Sequence, residues 1–100
     1  MATNKILNLQ ALSTKIQECK DSGKKVALCH GCFDLLHVGH IKHFEAAKAL
    51  GDVLVVTVTP DRFVNKGPGR PAFPEKLRME AIAALECVDF VALNEWPTAI

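Results

Sequence analysis

The run Asp52-Val53-Leu54-Val55-Val56-Thr57-Val58-Thr59 constrains the fold more than any other stretch of the chain. Its β-branched residues follow one another with no polar alternation. A strand of that kind needs cover on both faces, and such strands belong to parallel sheets flanked by helices. The flanks are legible on either side. Leu9, Leu12, Ile16 and Cys19 recur at helical spacing between Asn8, a cap, and Gly23, a stop, which predicts a helix over Leu9–Ser22. Lys24–His30 reads as a short buried strand, and Val38–Leu50 as a second helix closed by Gly51. Pro60–Phe73 holds two Gly and three Pro and reads as a long loop, of a length that is often functional. Pro74–Leu85 is a third helix with Pro74 in its first turn, Val88–Leu93 a third strand, and Trp96-Pro97-Thr98 a turn opening a further element. Alternating helices and strands predict an α/β, Rossmann-like parallel sheet with helices on both faces and right-handed crossovers, half of a doubly wound nucleotide-binding domain. Residues 1–100 are read as one such domain whose C-terminal part is missing, and these 100 residues alone are expected to be poorly active or inactive because the ligand pocket is left half walled. The Lys24–His30 strand is then expected at an open edge, and the chain is expected to associate through it.

Composition narrows the class. Of 100 residues, 49% are hydrophobic and 23% charged, with a formal net charge of +1. That is enough apolar material for one core, and it excludes wholesale disorder. Near-neutral charge argues against a nucleic-acid coat protein or a polybasic membrane binder. No apolar run approaches the ~20 residues of a spanning helix. The stretch Met1–Ser13 lacks the apolar core and cleavage site of a secretory signal. Cys19, Cys29, Cys32 and Cys87 are read as free thiols of a cytoplasmic protein, with Cys19 and Cys87 as small core residues.

Ligands of a doubly wound sheet bind beyond the carboxyl ends of its strands. That position is held here by the run from His30 to His40. Gly31 is read as the residue that lets the backbone turn sharply out of the strand. His37 and His40, three apart at a helix start, share one face of its first turn. Gly39 between them has no side chain, so a ligand can approach the backbone. Free N–H groups and the helix dipole make this an anion site, and two imidazoles beside it can donate to phosphate oxygens. The plainer alternative is that the two histidines only cap the helix; their place after a strand and a Gly turn favours the anion site.

His37-Val38-Gly39-His40 resembles the HxGH signature of the nucleotidyltransferase superfamily, and Gly31 to His40 as a whole is similar to its cytidylyltransferase-like branch. The resemblance continues through Ala47-Lys48-Ala49-Leu50-Gly51-Asp52, Thr59-Pro60-Asp61 and Lys76-Leu77-Arg78, covering about residues 25 to 96. Lys66-Gly67, Arg70-Pro71 and the run Ala84 to Asp89 are most similar to the adenylyltransferases of the ADP-heptose synthase type, with glycerol-3-phosphate cytidylyltransferase next. The resemblance implies transfer of AMP or CMP from ATP or CTP, with Mg²⁺, to a phosphorylated sugar or alcohol, with release of pyrophosphate. It implies that His37, His40, Lys66 and Arg78 are catalytic. Gly31, Cys32, Phe33, Asp34, His37, Gly39 and His40 would bind nucleotide, Asp61 and Lys66 would bind the acceptor, and no metal would be held by protein ligands alone. Asp52 is read as turn chemistry. As partners it implies the nucleotide and acceptor, no nucleic acid, no membrane, a homo-oligomer, and fusion or partnership with a sugar kinase.

The chain departs from that branch in three ways. It has no basic segment followed by an ISTS-like run, it is read as lacking the fourth strand and following loop that in relatives contribute to base recognition, and His30 stands where relatives often carry Asn. Two other classes stay open at this stage. Cys29-His30-Gly31-Cys32 is a CxxC with His37, His40 and His43 nearby, which could suggest zinc or a redox site, although zinc fingers separate their ligand pairs further. A non-catalytic nucleotide-binding or regulatory module would share the anion site without turnover.

Overall fold

A computed structural model describes residues 2–33, 36–61 and 74–94. A 3-10 turn, Ala2–Lys5, leads into β1 (Ile6–Leu7); α1 (Leu9–Asp21), β2 (Val26–Gly31), α2 (Val38–Ala49), β3 (Val53–Val58), α3 (Glu75–Ala83) and β4 (Phe90–Leu93) follow. The strands form one sheet in the order β1-β4-β3-β2, with every neighbouring pair parallel. This is the α/β, Rossmann-like class expected from the sequence, with β2 at an edge. The described residues hold four strands rather than three. β1 is two residues long, too short to show a period, and becomes a strand only by pairing Ile6 with Val91 and Leu7 with Ala92.

All six residues of β3 are buried, and its pleat divides them between two cores. Leu54, Val56 and Val58 join Phe44 of α2, Ile82 and Ala83 of α3, Cys29, Val88 and Val91 on one face. Val53 and Val55 join Leu12 and Ala92 on the other, where Leu9, Ile16 and Cys19 of α1 pack on them. Full burial of a Val or Leu side chain contributes about 1.5–3 kcal/mol, so the uninterrupted apolar run is stable only with helices on both sides. Cys19 and Cys87, expected in the core, are half-buried and pack against its two clusters from the margin.

Element ends are fixed by local chemistry. Asn8 caps α1, its side chain accepting the Ala11 N–H at 2.7 Å, an arrangement worth about 1 kcal/mol. α1 stops before Gly23, at φ 81°. The Asp52 carboxylate accepts the Lys25 N–H at 2.9 Å and so ties the start of β2 to the turn before β3. Asp89 accepts the Leu54 N–H at 2.7 Å and pairs with Lys48 near the end of α2. Several residues of the sequence resemblance thus hold the crossover of α2 against the sheet.

Candidate active site

β2 delivers the chain to the carboxyl edge of the sheet at Gly31, whose carbonyl accepts the Thr59 N–H at 3.0 Å. The left-handed residue of the following turn is not Gly31 but Phe33, at φ 51°. That conformation costs a non-glycine residue about 1–3 kcal/mol. Gly31 meets a different need. A Cβ there would stand 2.8 Å from Phe33 Cζ, so the absent side chain makes room for the Phe33 ring. The ring packs on the core, 5.1 Å from the Phe44 ring, and presents an edge contact to His40 at 5.4 Å and 90°. Burial of the ring offsets the backbone strain and braces one of the two histidines.

His37 and His40 do cap α2, and they do so through their ring Nδ1 atoms. His37 is the N-cap, and its Nδ1 accepts the Gly39 N–H at 3.0 Å. The His40 Nδ1 accepts the His37 N–H at 3.3 Å. The rings lie 4.1 Å apart, tilted by 31°. A ring nitrogen that accepts carries no proton, so each neutral imidazole has its proton on Nε2. The pair therefore offers two Nε2–H donors at the positive end of a helix dipole. Burial, and then the neighbouring His37 and His43, hold His40 below the usual imidazole range, so it stays neutral at neutral pH. Gly39 was expected to leave its space to a ligand. The His37 ring occupies that space: a Cβ on Gly39 would lie 2.7 Å from His37 Cε1.

Arg78 lies beneath the turn, at 3% exposure. Its Nη1 donates to the Cys32 carbonyl at 2.7 Å and its Nη2 to Asp61 Oδ1 at 2.6 Å. The Asp61 N–H donates to Glu75 Oε1 at 2.9 Å. The guanidinium thus joins the turn after β2 to the residues after β3. Glu75, at the start of α3, was not singled out by the sequence; a carboxylate opening a helix is ordinary dipole chemistry and carries no signal of its own. Gly31, Cys32, Phe33, His37, Gly39, His40, Asp61 and Arg78 are all placed around the carboxyl edge. Asp34 and Lys66 lie outside the described residues, as do residues 62–73 of the long loop and the turn at Trp96. Among the described residues, no three His, Cys, Asp or Glu side chains are grouped to hold a metal ion. Cys29 faces the core from β2, and burial raises its thiol pKa.

The sequence profile of the cytidylyltransferase-like family matches residues 28–98, a span that contains every residue of this site. The chain belongs to the cytidylyltransferase-like family. Curated relatives include the bifunctional protein HldE of Citrifermentans bemidjiense, 44% identical over 99 residues, 97% of this chain and 20% of that protein. HldE of Sulfurimonas denitrificans is 46% identical over 88 residues, 86% of this chain and 18% of that one. Among solved structures, the lipopolysaccharide core biosynthesis protein from Thermoplasma volcanium GSS1 matches with a TM-score of 0.62 at 35% identity, covering 72% of this chain and 59% of that chain. This cytidylyltransferase-like chain thus spans about a fifth of the length of the curated relatives it matches. Among its described residues, no helix is long and apolar enough to cross a membrane.

Proposed function

We propose that the chain is the nucleotide-binding part of a nucleotidyltransferase that moves AMP or CMP from ATP or CTP to a phosphorylated sugar or alcohol. The observation that carries this reading is the histidine pair. Two imidazoles locked through Nδ1 to the backbone present Nε2–H donors at a helix N-terminus, on the carboxyl edge of a parallel sheet. An oxygen of the acceptor phosphate attacks the α-phosphorus in line, a new P–O bond forms, and the bond to the β-phosphate oxygen breaks. Pyrophosphate leaves with that electron pair. His37 and His40 donate to phosphate oxygens as charge builds, and preorganised donors of this kind supply much of such catalysis. The turn at Gly31, Cys32, Phe33 and Asp34 holds the phosphates, and Lys66 brings a cation to them. Arg78 serves the reaction by fixing the Cys32 carbonyl and Asp61, which faces the acceptor.

Mg²⁺ would enter on the triphosphate, neutralising charge on its oxygens. The word bifunctional in the relatives' name supports a second, fused activity, which we take to be a sugar kinase, in a cytoplasmic protein with free thiols. The test is pyrophosphate release. In the full-length protein that carries this chain it should require both a nucleoside triphosphate and a phosphorylated acceptor; release that is independent of acceptor, or none with either nucleotide, would overturn the reading.

A further inference from the structure

The sequence singled out His30 as a departure from the family pattern, and the histidine pair leaves it without a role. It sits at the carboxyl end of β2, one residue before Gly31, and its neighbour in register on β3 is Thr57. His30 Nδ1 and Thr57 Oγ1 are 2.8 Å apart. Both side chains stand on the α1 face of the sheet, opposite the face that α2 covers. There they line a groove of about 590 Å³ between α1 and β2. Its volume falls in the range of small-molecule sites, about 300–1,000 Å³. Leu12, Ile16 and Leu28 form its walls, and His30, Thr57 and Asn94 bring polar groups to it from the ends of three successive strands. Ring nitrogens, a hydroxyl and an amide both donate and accept, which suits hydroxyl groups, and the aliphatic walls suit the C–H faces of a polyol carbon chain.

We propose that this groove holds the hydroxylated, non-phosphate end of the acceptor, with His30 and Thr57 reading its hydroxyls. The proposal rests on the transferase reading above. Two features argue for the acceptor rather than the nucleotide. The groove adjoins the phosphate turn, since His30 precedes Gly31 directly, yet it lies on the other face from His37 and His40. Among the described residues, Lys20 is the one cationic side chain that lines it, a setting that suits an uncharged polyol end better than a triphosphate. The Nδ1 contact with Thr57 fixes the His30 ring and leaves Nε2 as the edge that can meet a ligand.

The test uses ¹⁵N-histidine-labelled protein, with the four ring systems of His30, His37, His40 and His43 observed separately. The probes are glycerol 3-phosphate, ribose 5-phosphate and glucose 1-phosphate, with inorganic phosphate, adenosine and cytidine as controls. At least one of the three organic phosphates should shift the His30 ring, whereas inorganic phosphate should shift His37 and His40 alone. His30→Phe should weaken that probe by about tenfold, the upper range for one lost hydrogen bond, while ATP affinity stays within about twofold. Gln17→Trp narrows the groove from the exposed side of α1 without disturbing the core, and should weaken the same probe if His30→Phe does not fold. The proposal fails if none of the organic phosphates moves His30, or if adenosine or cytidine moves it instead, which would make the groove a base site. It also fails if Gln17→Trp leaves the binding unchanged. Failure of ATP and CTP to shift His37 and His40 would count against the transferase reading alone.

Discussion

Substituting Gly39 by Ala separates what the histidine pair does for folding from what it does for chemistry. A Cβ at this position would stand 2.7 Å from His37 Cε1, whereas unstrained carbon contacts begin near 3.5 Å. The ring must therefore recede by about 0.8 Å, and the Nδ1 bond to the residue 39 N–H stretches or breaks. Loss of an N-cap costs about 1 kcal/mol. Ala in place of Gly within a helix returns up to about 1 kcal/mol. Stability, read from urea unfolding, should thus change by less than about 1 kcal/mol. Activity should not be spared, because a displacement near 1 Å of a charge-stabilising group can lower turnover by about 10². The assay is pyrophosphate release under saturating nucleotide, run beside the unfolding curve. A Gly39→Ala protein that keeps its kcat within about threefold would refute the claim that His37 must hold its observed place against the helix.

Three further outcomes follow from the geometry. Protonated His40 cannot accept through Nδ1, and its folded pKa is lowered, so between that value and about 6.5 the unfolded chain binds more protons. Stability should fall as pH drops below about 6.5 and level off below the folded pKa, with His40→Gln flattening the profile; equal slopes for both proteins would contradict this. Arg78→Met should cost about 2–4 kcal/mol by urea unfolding, since it orphans the Cys32 carbonyl and leaves Asp61, 39% exposed, half solvated; a loss under about 0.5 kcal/mol would show that the guanidinium does not brace the turn. At the open β2 edge, Leu28 is 55% exposed, so Leu28→Lys should reduce self-association of the 100-residue chain in sedimentation, and unchanged association would place the contact elsewhere.

The parts of the fold legible in the sequence are those with a long apolar pattern. β3 announced itself by an unbroken β-branched run, and α1 by an apolar stripe between two end signals. The helix over Val38–Leu50 was legible because it follows a Gly turn and closes at Gly51. β1 was not, because two residues carry no period and depend on β4 for their partners. At the site, the local packing differs from the expected one at two glycines. Gly31 was expected to bend the chain, yet Phe33 bends and Gly31 yields space to its ring. Gly39 likewise yields to His37 rather than leaving a vacancy. Composition and spacing report that a glycine is needed without saying which neighbour needs the room. The hydrogen bonds of Arg78 to Cys32 and Asp61 arise between segments 46 and 17 residues away, which no local pattern encodes. The His30–Thr57 contact left one trace, a lone Thr at an inward position among valines, at the same end of β3 as the Gly turn of β2.

The central claim is that the two Nε2–H donors stabilise charge on a nucleoside triphosphate while pyrophosphate departs. It is tested most directly by comparing pyrophosphate release in the wild-type protein and in His40→Ala, with circular dichroism confirming that both are folded. Nucleotide and acceptor should be varied until the wild-type rate is found. The account predicts a fall of about 10²–10³ in kcat for His40→Ala, with the helical signal unchanged. A His40→Ala protein that releases pyrophosphate as fast as the wild type would contradict it.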